Sequence, residues 1–130
     1  MPKDEDFVNK AEDVIKKLKE SKNPQTGRPI PIVTTSKIRK LLAMSNDIYN
    51  EVRLLRGTEL SPQIKERISY LRMRCIYEAG RDDSVREFME KSNIIKKELA
   101  DIKTKEDYIK FSRYMEALVA WRKYSCEKDG

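Results

Sequence analysis

Histidine is absent from all 130 residues. That removes the side chain on which Ser-His-Asp and Cys-His nucleophile systems, and the usual neutral-pH proton shuttle, depend. Glycine is scarce: Gly27, Gly57, Gly80 and Gly130 each stand alone at a turn or terminus, so no Gly-rich phosphate loop exists to support nucleotide hydrolysis. The two cysteines, Cys75 and Cys126, lie far apart with no Cys-x-x-Cys pair, and a metal site is not expected. No apolar run approaches the roughly 18 residues that span a bilayer, and the N-terminus, Met1-Pro2-Lys3-Asp4-Glu5-Asp6, is polar. The expectation is a non-enzyme with no catalytic residues and no cofactor. It has no small-molecule substrate or membrane association, and works in a soluble, reducing, cytoplasmic setting.

Charge and helix-forming residues are what the chain has in quantity. Asp, Glu, Lys and Arg make up 38% of it, set among Ala, Leu and Ile with few glycines, which points to an all-α fold. The length suits one domain. Lys and Arg number 28 against 22 Asp and Glu, a formal charge of +6 that suits a polyanionic partner. The surplus is regional: residues 34–81 hold ten basic and five acidic side chains, so nearly all the excess lies there.

Hydrophobic spacing predicts a compact bundle of about five helices. The division is residues 1–33 as an N-terminal helix and Pro-rich loop, 34–124 as the helical core and 125–130 as a polar tail. The first helix is expected from about Asp4 to Lys22, with Phe7, Ala11, Val14, Ile15 and Leu18 on one stripe. Acidic residues open it and lysines close it, as the helix dipole favours. Pro24, Pro29 and Pro31 break any helix in the loop that follows. The second helix should start at Thr34, Thr35 or Ser36 and stop near Arg56, before Gly57. It carries Ile38, Leu41, Leu42, Ser45, Ile48, Tyr49, Val52 and Leu55.

Ser61-Pro62 reads as an N-cap and first-turn proline for a third helix ending around Ala79-Gly80. Asp82, Asp83 or Ser84 can cap a fourth helix through about Glu98, with Val85, Phe88, Met89, Ser92 and Ile95 at helical spacing. Thr104-Lys105-Glu106-Asp107 resembles a capping box opening a fifth, which should bury Tyr108, Phe111, Tyr114, Met115, Leu118 and Trp121.

The third helix carries two apolar faces. Ile64, Ile68, Leu71 and Cys75 form one; Tyr70, Met73, Ile76 and Tyr77 form much of the other. Either this helix lies in the middle of the bundle or the second face meets another copy of the chain. Asp82-Asp83 fits a cap better than a divalent-ion site, and Cys75 fits a small core hydrophobe.

Lys37, Arg39 and Lys40 occupy the first turns of the second helix, where the dipole favours anions; a bound phosphate would gain from both the helix N-terminus and the cations. Arg67, Arg74 and Arg81 recur every seven residues on the third helix, about 10 Å apart. They can track a phosphate backbone or pair with carboxylates of their own bundle. Arg72 projects elsewhere and can pair with Glu66 or Glu78. Tyr49, Phe88, Phe111, Tyr114 and Trp121 fall on core stripes, leaving little for base stacking, so backbone contacts along a duplex or an ordered strand fit better than base recognition.

Four blocks carry a resemblance. They are Thr34-Thr35-Ser36-Lys37-Ile38-Arg39-Lys40-Leu41-Leu42-Ala43 with Asn46-Asp47-Ile48-Tyr49-Asn50; Arg67-Ile68-Ser69-Tyr70-Leu71-Arg72-Met73-Arg74; Tyr77-Glu78-Ala79-Gly80-Arg81-Asp82; and Arg113-Tyr114-Met115-Glu116-Ala117-Leu118-Val119-Ala120. In this order, and covering most of the chain from Thr34 to Lys123, they resemble the small subunit of type III-A CRISPR effector (Csm) complexes. The resemblance implies a helical subunit without nuclease activity that stacks in several copies beside the repeating subunit holding the guide RNA, along the guide–target path. Cleavage and cyclic oligoadenylate synthesis would then belong to other subunits.

The expected partners are guide RNA and target RNA, the repeating backbone subunit with other effector subunits, and copies of the chain itself. Lys37, Arg39, Lys40, Arg67, Arg74 and Arg81 are the expected phosphate contacts, joined by Arg113 and Arg122. Tyr70, Met73, Ile76 and Tyr77 are the expected subunit interface. The competing reading is a helical protein–protein adaptor whose basic face meets no nucleic acid.

Overall fold

Side-chain caps set most of the helix starts in the computed structural model, which describes residues 7–126. Helix α1, Phe7–Lys19, buries the predicted Ala11, Val14, Ile15 and Leu18 and stops three residues short of Lys22. Its expected acidic opening, Asp4 to Asp6, lies outside the described residues, as does most of the polar tail. The proline-rich loop after it is pinned to itself. Asn23 Oδ1 accepts from the backbone N–H groups of Gln25 and Thr26 at 2.8 and 3.2 Å, and Gly27 turns the chain at φ +72°. That conformation suits a residue without Cβ.

Helix α2, Thr35–Val52, is capped by Thr34, whose side chain accepts from Lys37 N–H at 3.2 Å. It ends before the expected Arg56, because Val52 is its last fully buried residue and the chain turns at once through Arg53 and Leu54. Helix α3, Pro62–Arg81, starts at the predicted Ser61 cap and first-turn proline. Helix α4, Asp83–Ser92, takes Asp82 as its cap and stops at Asn93, which sits in the left-handed region at φ 61°.

The single helix expected through Glu98 is therefore interrupted. A π-helical turn, Ile94–Glu98, follows, with the N–H groups of Glu98 and Leu99 donating to carbonyls five residues back at 2.8 and 2.9 Å. The wider turn buries Ile94 completely, and Arg72 Nε holds it by donating to the Ile95 carbonyl at 2.7 Å. The expected pairing of Arg72 with Glu66 or Glu78 is replaced by this backbone contact. Helix α5, Lys105–Ser125, opens with a complete capping box between Thr104 and Asp107.

Helix α5 packs against α1 and α2, while α3 packs against α4 and α2. Helix α1 packs against α4 as well, so each helix meets two others. Tyr108, Phe111, Tyr114, Met115, Ala117 and Leu118 bury a wide arc of α5, and Trp121 is half-buried. The Tyr108 and Tyr114 hydroxyls donate to the carbonyls of Ser45 and Ser92 at 2.7 and 3.0 Å, so each ring ends on a satisfied polar group. The fold is all-α, and among the described residues no strand forms. No helix there is long and apolar enough to cross a membrane.

The central position considered for α3 is corrected. Its Ile64, Ile68, Leu71 and Cys75 face is buried, but Tyr70, Met73, Ile76 and Tyr77 are exposed. Helix α3 packs on α2, α4 and the π-helical turn, yet these leave its second apolar face largely exposed.

Candidate nucleic-acid interface

Helices α2 and α3 run antiparallel, since Lys37 in the first turn of α2 pairs at 2.5 Å with Asp82, just beyond the end of α3. This brings the predicted cations of the two helices together. Lys37 and Lys40 from α2 and Arg74 and Arg81 from α3 line one cleft of about 390 Å³ over Leu41, Met44 and Val85. Glu78 and Asp82 line it too, leaving two more cations than acids.

The other predicted contacts are distributed differently. Arg67 lines an adjoining cleft between the same two helices, and Arg39 is exposed but lines neither. Arg113 lines a separate cavity beside α1 and α5 and approaches Glu116 at 4.0 Å. Arg122 is a correction: it is only 1% exposed, and its Nε donates to the Val33 carbonyl at 2.6 Å. It ties α5 to the segment before α2 and presents no surface to a phosphate. The signal for this was its position four residues after Leu118, on the buried arc of α5.

Carboxylates answer most of these cations. Arg67 pairs with Glu51, Arg74 with Glu78 at 3.0 Å, and Arg81 with the same Glu78 at 3.6 Å. Of the two possibilities for the arginine row, pairing within the bundle is the one on display. It leaves the other open, because ion pairs this exposed contribute at most about 1 kcal/mol each and a guanidinium keeps donors beyond those its carboxylate uses.

Asp82 is the most perturbed of these acids. The Lys37 ammonium and then the Ser84 hydroxyl donate to its carboxylate and hold it at about 2, with the Val85 N–H adding to them. It also caps α4, accepting from the Ser84 and Val85 N–H groups at 2.9 and 3.3 Å. Cys75 behaves as a core hydrophobe: burial first, and Glu78 second, push its thiol up to about 12. Among the described residues no group of three or more His, Cys, Asp or Glu is placed so as to hold a metal ion.

Core-facing aromatics led the sequence to predict little stacking surface beside the cations, and α3 overturns this. Arg67, Tyr70, Arg74, Tyr77 and Arg81 alternate at spacings of three and four, so both exposed tyrosines share the side of the helix that carries the arginines. The guanidinium carbons of Arg74 and Arg81 each lie 5.6 Å from the Tyr77 ring centroid, cation–π contacts that hold both forks in place. The spacing was legible in the sequence; which face of α3 would be left uncovered was not.

A family model described as Csm2 Type III-A matches residues 2–128. The chain is 37% identical over 126 residues to the "CRISPR system Cms protein Csm2" of Streptococcus thermophilus, covering 97% of this chain and 96% of that protein. The protein of that name from Mycobacterium tuberculosis (strain CDC 1551 / Oshkosh) is 33% identical over 125 residues, covering 96% of this chain and 95% of its own length. That of Enterococcus italicus is 34% identical over 125 residues, covering 93% and 88%.

Proposed function

The chain belongs to the Csm2 family of type III-A CRISPR systems, as the small subunit of such a complex, and from that premise we propose that it binds RNA without catalysing any step. Several copies stack within the ribonucleoprotein and support the guide–target duplex through backbone contacts in cytoplasmic antiviral defence. The observation that carries this reading is the convergence of Lys37, Lys40, Arg74 and Arg81 on one cleft between α2 and α3. Arg67 and Arg39 extend the contact, and Arg113 is a lesser site on α5. Met73 and Ile76, turned away from the arginine row, supply apolar surface for a neighbouring copy or another subunit.

Guide RNA and target RNA are the partners in this reading, with the repeating guide-holding subunit alongside. No cofactor enters it. Replacing Arg74 and Arg81 by Ala in the assembled complex is expected to weaken target binding across unrelated guide sequences. With about four phosphates neutralised, affinity should fall with salt at a log–log slope of roughly −3, made shallower by the double substitution. Unchanged affinity and slope would rule this surface out. The adaptor reading draws its support from the ion pairs that already occupy the arginines; a complex that purifies with this chain but without RNA would decide for it.

A further inference from the structure

Next to the cationic cleft, and sharing Met44 with it, a second open cleft of about 380 Å³ lies between α2 and α3. Met44 and Ile48 give it an apolar floor, Tyr70 an aromatic wall, and Arg67 a cation. Asp47 and Glu66 also line it. The Tyr70 side is open: the residue is 55% exposed and, among the described residues, its side chain makes no hydrogen bond, ring stack or cation–π contact. Neither Asp47 nor Glu66 has an ion-pair partner among the described residues. Tyr77 differs, since Arg74 and Arg81 already lie against its ring.

An aromatic wall, an apolar floor and unengaged acceptors beside a phosphate-binding groove are the parts of a nucleobase site. Carboxylates accept from exocyclic amino groups, which cytosine, adenine and guanine carry and uracil lacks; uracil offers only its N3–H, set between two carbonyls that a carboxylate would repel. We infer that this cleft takes one unpaired, amino-bearing base of an RNA strand, stacked on Tyr70, while the backbone continues into the cationic cleft. The inference rests on the backbone reading above and adds to it the recognition of a base.

The test uses the full-length chain and three labelled oligouridines that differ only at the centre, which is cytidine, uridine or an abasic ribose. Fluorescence anisotropy should show the cytidine RNA bound about tenfold more tightly than the abasic one, with uridine between. Tyr70→Ala should bring the cytidine RNA to the abasic level and Tyr70→Phe should preserve the difference; the exposure of Tyr70 keeps both changes away from the core. The pair Arg74→Ala and Arg81→Ala should weaken all three RNAs by one common factor. Three equal affinities, or no binding of any of the RNAs, would overturn the base site. So would a Tyr70→Ala variant whose only change is in sedimentation, which would assign the ring to a protein interface. Where RNA is bound, a common loss in the arginine variant would leave the backbone reading standing, and its absence would remove both.

Discussion

Helices α3 and α5 are almost equal in length, at 20 and 21 residues, and both mix aromatics with arginines, yet the bundle uses them in opposite ways. On α5 Tyr108 and Tyr114 are buried and their hydroxyls donate to backbone carbonyls, Arg122 is drawn inside to brace the segment before α2, and only Tyr124, at the helix end, is exposed. On α3 one narrow stripe is buried, while Tyr70 and Tyr77 stay at the surface beside Arg67, Arg74 and Arg81. Residue type does not separate the two helices. What separates them is whether another element of the same chain covers the face.

The sharpest way to break this comparison is to truncate one large side chain on each helix. Tyr108→Ala removes a fully buried ring together with its hydrogen bond to the Ser45 carbonyl, so urea denaturation should show a loss of about 3–5 kcal/mol. Met73→Ala, on the exposed side of α3, should change stability by less than about 0.5 kcal/mol. Its effect should appear instead in sedimentation of the assembled particle, as a weaker contact between subunits. Similar losses of stability from both variants would mean that α3 is covered after all.

Arg122 tests the same contrast within the arginines. Its removal takes away a charge-assisted hydrogen bond to the Val33 carbonyl and the packing of its stem, so Arg122→Ala should cost about 2–3 kcal/mol. RNA affinity measured on the folded protein should stay at the wild-type value. The reverse result, full stability with weakened RNA binding, would return Arg122 to the set of phosphate contacts.

Helix starts were legible in the sequence because caps are local chemistry: Ser61-Pro62, Asp82 and the Thr104–Asp107 box each satisfy donors within three residues. Helix ends were less so. The end of α2 follows from where burial stops at Val52, and the break at Asn93 follows from seating Ile94 in the core, a demand set by distant parts of the chain. The cationic cleft was half legible. Spacing put Arg67, Arg74 and Arg81 on one side of α3, but meeting Lys37 and Lys40 required the antiparallel packing of α2 on α3. Arg122 was misassigned because a cation at the end of a helix is ordinarily exposed, and only the course of residues 20–34 gives it a buried carbonyl.

Asp82 carries a smaller expected effect than Tyr108 or Arg122, and it connects stability to function. Its carboxylate holds Lys37 at one edge of the cationic cleft and caps α4. A carboxylate lowered from 3.8 to about 2 in the folded chain stabilises it above the ordinary value and loses that contribution as pH falls through about 2. Screening at this partly exposed site limits the contribution to about 1 kcal/mol. Asp82→Asn should keep the cap but give up the Lys37 pair. Its stability deficit should therefore be present at neutral pH and shrink as acid titrates the wild-type protein. The same substitution takes one negative charge from the cleft and frees Lys37, so RNA affinity at low salt should rise while stability falls. If the two quantities fell together, Lys37 would have to be held by Asp82 in order to meet a phosphate, and the ion pair would belong to the binding surface rather than compete with it.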